Sequence, residues 1–247
     1  YILTPHFNYF SMSKKFNPAL MIIDLQEDFL PPNGSLAVDH GRDIIPKILE
    51  LLDLSKYGWK AVIGTKDWHP EGHISFASTH NQKPYTTKTF RSPDKESKQE
   101  RLETLWPDHC IQDSFGAAFP EEFAIVFNKM VQDQPVPTAL VKKGYLKDRE
   151  YYSCFMDVWK IHHTECEKFL KDHDITDVYV VGLAYDYCVL NSSIDAADLG
   201  FNTYVVKDLS KAVAPESNID TEKSYQEHNI HLITSDSPEL KKVEAQY

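Results

Sequence analysis

Residues 177–200 read DVYVVGLAYDYCVLNSSIDAADLG, and this stretch decides the fold. Its opening run, DVYVVGLA, is continuously apolar and rich in β-branched side chains, which suits a strand covered on both faces. From Asp186 onward the pattern turns helical, with Asp186 placed to act as N-cap and Gly200 as the C′ stop. A buried strand feeding directly into a helix is the repeating unit of a parallel sheet with crossover helices.

Runs of the same kind recur at 19–24 (ALMIID), 60–65 (KAVIGT), 138–144 (TALVKKG), 202–208 (NTYVVKD) and 230–235 (IHLITS). Helical patterns lie between several of them, at 42–54, 163–173 and 216–228 as well as 186–200. The alternation predicts a single α/β domain with a mainly parallel sheet of about six strands and helices on both faces, a Rossmann-like three-layer arrangement. Residues 84–103, PYTTKTFRSPDKESKQERLE, are charged and weakly periodic, so a long surface loop is expected there. No internal repeat or low-complexity tract interrupts the pattern. The internal Met12 reads as a start just ahead of the first strand, so residues 1–16 are expected to form a poorly ordered extension before a single domain at 17–247.

Lys and Arg number 26 against 37 Asp and Glu, for a net charge of -11. That balance argues against a nucleic-acid or anionic-membrane surface, both of which need clustered cations. No apolar run approaches the roughly 18 residues of a membrane span, and Pro5, His6 and Asn8 interrupt what a signal peptide would need as an apolar core. A small-molecule partner and a cytoplasmic location are therefore expected. The terminal VEAQY is not an SKL-type peroxisomal address, and nuclear or carrier-assisted peroxisomal import stays open. Cys110, Cys154, Cys166 and Cys188 are scattered without a CxxC pair, which fits reduced thiols. Oligomerisation is left open.

In a parallel sheet the ligand crevice lies beyond the carboxyl ends of the strands. Several predicted strands end there in reactive side chains. Asp24 closes the first, where desolvation can raise a carboxyl towards the range of a general base, with Asp28 as a competitor. Lys142 and Lys143 close TALVKK, and alternation turns only one of them towards a given face. Cys188 stands in the first turn of its helix, where backbone N–H groups and the helix dipole favour a thiolate; its alternative is a buried core thiol, the assignment preferred for the other three cysteines. Asp67 and His69, at i and i+2, leave a strand on the same side and can meet one ion. Further donors would have to come from His73, from His109 or from another histidine.

Together IIDLQEDF, TKDWHPEGHISFA, LWPDHCIQDSFGA, KKGYLKDREYYSCF and VVGLAYDYCVLNSSIDAADLGF resemble the nicotinamidases of the isochorismatase-like cysteine hydrolase superfamily, the fungal enzymes above all. The resemblance runs from about Asn17 to about Ser235 with the motifs in order. It implies a catalytic triad of Asp24, Lys143 and Cys188, which selects Lys143 over Lys142. It implies a zinc ion, or another divalent metal, on Asp67, His69 and His109, with His73 in a supporting role. It further implies a cis peptide before Ala184, an oxyanion hole from the backbone N–H groups of Ala184 and Cys188, and Phe29, Trp106 and Tyr187 around the nicotinamide ring.

The activity so implied is hydrolysis of nicotinamide to nicotinate and ammonia through a Cys188 thioester, serving NAD salvage, with pyrazinamide also accepted. Rival expectations are a metal-water amidohydrolase in which Cys188 is structural, a metal-free relative acting on another small amide, and a nicotinamide-binding module without turnover.

Overall fold

The computed structural model describes residues 15–245. The extension expected at 1–16 thus falls almost wholly outside the described residues.

In chain order the strands are β1 (Pro18–Ile23), β2 (Ala61–Asp67), β3 (Thr87–Arg91), β4 (Glu100–Thr104), β5 (Thr138–Lys143), β6 (Asp177–Leu183), β7 (Asn202–Lys211) and β8 (His231–Ile233). The helices are α1 (Ile45–Leu51), α2 (Glu121–Asp133), α3 (Cys166–Asp172), α4 (Cys188–Asp198), α5 (Asn218–Glu227) and α6 (Pro238–Lys241). Six strands make one sheet in the order β5-β2-β1-β6-β7-β8, with every neighbouring pair parallel. The chain winds outward from β1 to β5, then returns and winds the other way from β6. The switch point lies between β1 and β6, where a crevice opens beyond the strand ends.

Strand alternation splits the core in two. On one face Leu20 and Ile22 of β1, Val62 of β2 and Tyr179 and Val181 of β6 pack with Ile48 of α1, Phe123 and Phe127 of α2, and Leu240 of α6. On the other, Ala19, Met21 and Ile23, with Ala61, Ile63, Val178 and Val180, meet Leu170 of α3, Val189 and Ala196 of α4 and Tyr225 of α5. Every residue of β1 and β6 is buried, which explains why their sequences read as continuous apolar runs instead of alternating ones.

Helix α2 was absent from the sequence-based pattern, although Phe123, Phe127 and Met130 carry a helical spacing and are all buried. Gly64 lets it dock closely: a Cβ there would lie 2.6 Å from Phe127 Cζ. Residues 84–103 are not the featureless loop expected. They hold β3 and β4, an antiparallel hairpin paired from Thr87 with Thr104 to Arg91 with Glu100. The arm lies on the surface and is exposed along most of its length, so no apolar period marked it, and cross-strand contacts such as Arg91 Nε to Glu100 Oε1 at 2.9 Å dress it instead. No helix among the described residues is long and apolar enough to cross a membrane.

Candidate active site

The residues expected at the strand ends converge at the switch point. Asp24 follows β1 with a left-handed φ of 45°, which takes its backbone out of the strand ladder and turns its side chain over the sheet edge. Thr65 anchors it: the Thr65 hydroxyl accepts the Asp24 N–H at 3.0 Å and donates to Asp24 Oδ1 at 2.6 Å. At the end of β5 the alternation separates the two lysines. Lys143 is fully buried, whereas Lys142 points to the other face, its Nζ 3.9 Å from the Trp68 ring centroid. The Lys143 ammonium lies 2.9 Å from Asp24 Oδ2 and donates to Asp67 Oδ1 at 2.5 Å, to the Tyr151 carbonyl at 3.0 Å and to Cys188 Sγ at 3.3 Å. One buried cation therefore joins two carboxylates and a thiol.

Burial and these contacts set the proton affinities. Burial raises the Asp24 carboxyl, only partly opposed by Lys143. Burial would raise Asp67 too, but the Lys143 ammonium beside it holds it well below the usual carboxylate range. Lys143, despite its burial, is pushed well up by Asp24 and Asp67 and stays charged. For Cys188 burial raises the thiol well above its ordinary value against the pull of Lys143. The helix N-terminus alone would favour a thiolate; in the folded site desolvation outweighs it, so sulfur keeps its proton until a base removes it.

Asp67 Oδ2 lies 3.6 Å from His69 Nε2 and 3.7 Å from His109 Nε2, and one donor atom from each of the three residues falls within 4.8 Å of the others. Both imidazoles are oriented through their far nitrogens: His69 Nδ1–H donates to the Gly144 carbonyl at 2.9 Å and His109 Nδ1–H to the Pro107 carbonyl at 2.8 Å. That leaves each Nε2 lone pair facing Asp67, and His69 Nε2 is buried without a hydrogen-bond partner. Two aimed imidazoles, one carboxylate and an orphaned nitrogen are the donor set of a divalent-metal site, and the residues present fit such an ion. His73 stacks on His69 with ring centroids 4.1 Å apart, but its Nε2 faces the Arg149 carbonyl at 2.9 Å and its Nδ1 the Ser75 hydroxyl at 2.8 Å. With both nitrogens so engaged it braces the cluster.

A small cavity opens on Asp67, His109 and Cys188. Phe29, Trp106, Tyr187 and Ala184 line it, as do Leu36, Glu150, Tyr152 and Val213, which the sequence did not single out. Trp106 stands edge-on to Tyr187 at 4.9 Å and donates its indole N–H to the Tyr152 hydroxyl at 3.2 Å. The Leu183–Ala184 peptide is cis.

Two other acidic residues have different employment. Asp28 accepts the Cys110 N–H at 2.7 Å and takes no part in the cluster. Asp186 is not the N-cap expected; Tyr187 occupies that position, and the Asp186 carboxylate turns away to accept the N–H groups of Val213 and Ala214 at 2.9 Å each. Gly200, with φ of 94°, follows the end of α4 as anticipated. Cys110, Cys154 and Cys166 are free, buried core thiols.

The isochorismatase domain profile matches residues 18–237. The nicotinamidase of Saccharomyces cerevisiae is 38% identical over 221 residues, covering 87% of this chain and 98% of that protein. The crystal structure of a yeast nicotinamidase bound to the inhibitor nicotinaldehyde superposes with a TM-score of 0.80 at 35% identity, over 88% of this chain and 100% of the other. The pyrazinamidase of Pyrococcus horikoshii in complex with zinc superposes at 0.64 with 27% identity, over 88% and 99%.

Proposed function

This chain belongs to the isochorismatase domain family, and from that membership and the site geometry we propose that it is a nicotinamidase, hydrolysing nicotinamide to nicotinate and ammonia in NAD salvage. The observation that carries the reading is the position of Lys143, whose ammonium contacts the Asp24 carboxylate and the Cys188 sulfur at once, beside the Asp67–His69–His109 cluster.

Asp24 takes the thiol proton as Cys188 attacks the carboxamide carbon; its burial-raised carboxyl suits that exchange. The new C–S bond leaves the oxygen negative, and the N–H groups of Ala184 and Cys188 are its donors, each worth about 3 kcal/mol in hydrolases of this type. Asp24 returns the proton to the amide nitrogen as the C–N bond breaks and ammonia leaves. Water then cleaves the thioester to nicotinate and the free thiol. Lys143 keeps the alternating charges of Asp24 and Cys188 neutralised. Phe29, Trp106 and Tyr187 hold the ring, and pyrazinamide, a near isostere, fits the same walls. Asp67, His69 and His109 would hold a zinc ion, which when bound supplies a Lewis-acid anchor for the pyridine nitrogen. Four free thiols fit a reducing compartment, so the cytoplasm is the working location.

Purified protein should release ammonia and nicotinate from nicotinamide, and Cys188→Ala should abolish release while leaving bound metal unchanged. Turnover surviving in Cys188→Ala would overturn the covalent route in favour of a metal-water hydrolase. A wild-type protein that binds nicotinamide with metal loaded yet releases no ammonia would be a binding module.

A further inference from the structure

Asp24 has two carboxylate oxygens, and a buried general base needs its carboxylate held in place with at least one oxygen able to take the thiol proton. Thr65 and Asp67 lie two residues apart on β2, so their side chains leave the strand on one side, towards Asp24 and Lys143. The Thr65 hydroxyl has a single proton, and it is committed to Asp24 Oδ1 at 2.6 Å, while its lone pair accepts the Asp24 N–H at 3.0 Å. Both groups are fully buried. The closed ring of two hydrogen bonds fixes the carboxylate plane on a residue whose left-handed backbone has left the sheet ladder. Asp24 Oδ2, by contrast, is buried without a hydrogen bond, 2.9 Å from the Lys143 ammonium. Asp24 and Cys188 also present atoms within 4.8 Å of each other.

We propose that Thr65 is the positioning residue for this base: by gripping Oδ1 and the Asp24 N–H it fixes the carboxylate so that Oδ2, which accepts no hydrogen bond, takes the Cys188 proton and gives it back. The inference rests on the amide hydrolysis proposed above. Thr65 touches no substrate; it acts through Asp24. A β-branched residue that lacks the hydroxyl would fill the same space but leave Oδ1 and the Asp24 N–H unpaired and the carboxylate free to rotate.

Four proteins test it, wild type, Thr65→Ser, Thr65→Val and Thr65→Ala, each assayed for kcat and KM on nicotinamide and for the rate at which iodoacetamide alkylates Cys188, followed by peptide mapping. Thr65→Val and Thr65→Ala should lose about 10²-fold in kcat with KM unchanged, the scale of a misplaced reacting group. Alkylation of Cys188 should slow in the same two variants. Thr65→Ser, which restores the hydroxyl without the methyl, should recover both rates. If Thr65→Val does not fold, the Ser and Ala variants differ by the hydroxyl alone and decide the matter. Equal losses in Ser and Ala, or full kcat in Ala, would overturn the proposal. Should the wild type release no ammonia, the nicotinamidase reading fails, and the alkylation rates still report whether Thr65 governs the thiol.

Discussion

Lys143 Nζ lies 2.9 Å from Asp24 Oδ2, and both side chains are fully buried. The same ammonium also meets Asp67 and Cys188. Replacing it by methionine keeps the volume but leaves two buried carboxylates without a cation. Lys143→Met should lose about 10²–10⁴-fold in kcat, and about 3–5 kcal/mol of stability in urea unfolding. Undiminished stability would mean that the carboxylates accept protons at no cost, contrary to the geometry.

Gly144 should be intolerant of substitution for a reason located in the metal cluster. Its φ is 75°, and a Cβ would fall 2.5 Å from His69 Cε1. Gly144→Ala must shift the imidazole or the turn, so bound zinc measured after dialysis should drop well below that of the wild type. Stability should fall by about 1–3 kcal/mol from the strained backbone alone. A fully zinc-loaded Gly144→Ala protein would show that His69 does not depend on this close approach.

His109, within the cluster, and His73, beside it, should separate cleanly. His109→Ala removes a nitrogen aimed at Asp67 and should abolish stoichiometric zinc binding. His73→Ala removes only a brace, so zinc should still reach one equivalent at saturation, with affinity weakened about 10–100-fold. Titration of apo-protein with zinc, read by a competing chelator dye, distinguishes them; the reverse ranking would exchange their roles.

Asp186 accepts two backbone N–H groups from the segment that carries Val213 into the cavity wall. Asp186→Ala leaves both donors unpaired and should cost about 1–3 kcal/mol in thermal or urea unfolding. Because Cys188 and its helix are not otherwise altered, KM for nicotinamide should rise more than kcat falls. A change confined to kcat would instead place Asp186 in the electrostatics of the thiol.

Much of this was legible in the sequence. Uninterrupted apolar runs such as 177–184 announced strands covered on both faces, and that pattern is a direct consequence of burial in a parallel sheet. From it followed the location of the crevice and the convergence of Asp24, Asp67, Lys143 and Cys188, since each ends or follows a strand. The hairpin at 84–103 escaped because its side chains are solvated on both faces, so pairing left no hydrophobic period to read. Asp186 was misjudged because a helix N-cap and a brace to a distant loop use the same side chain, and only the position of Val213 and Ala214 tells them apart.

By itself the sequence determined what is local: strand and helix periods, the thiol at a helix start, an aspartate and a histidine two residues apart on one side of a strand. Residue pattern alone left open the choices that depend on crossing distant segments; the family resemblance already favoured Lys143 and His109, and the tertiary structure supplied the contacts. It separated Lys143 from Lys142 by the face each presents, brought His109 rather than His73 to face Asp67, and closed Thr65 around one oxygen of Asp24. The physical reason is that local pattern specifies burial and direction along one element, whereas hydrogen bonds and ion pairs a few ångströms long depend on how several elements are packed together.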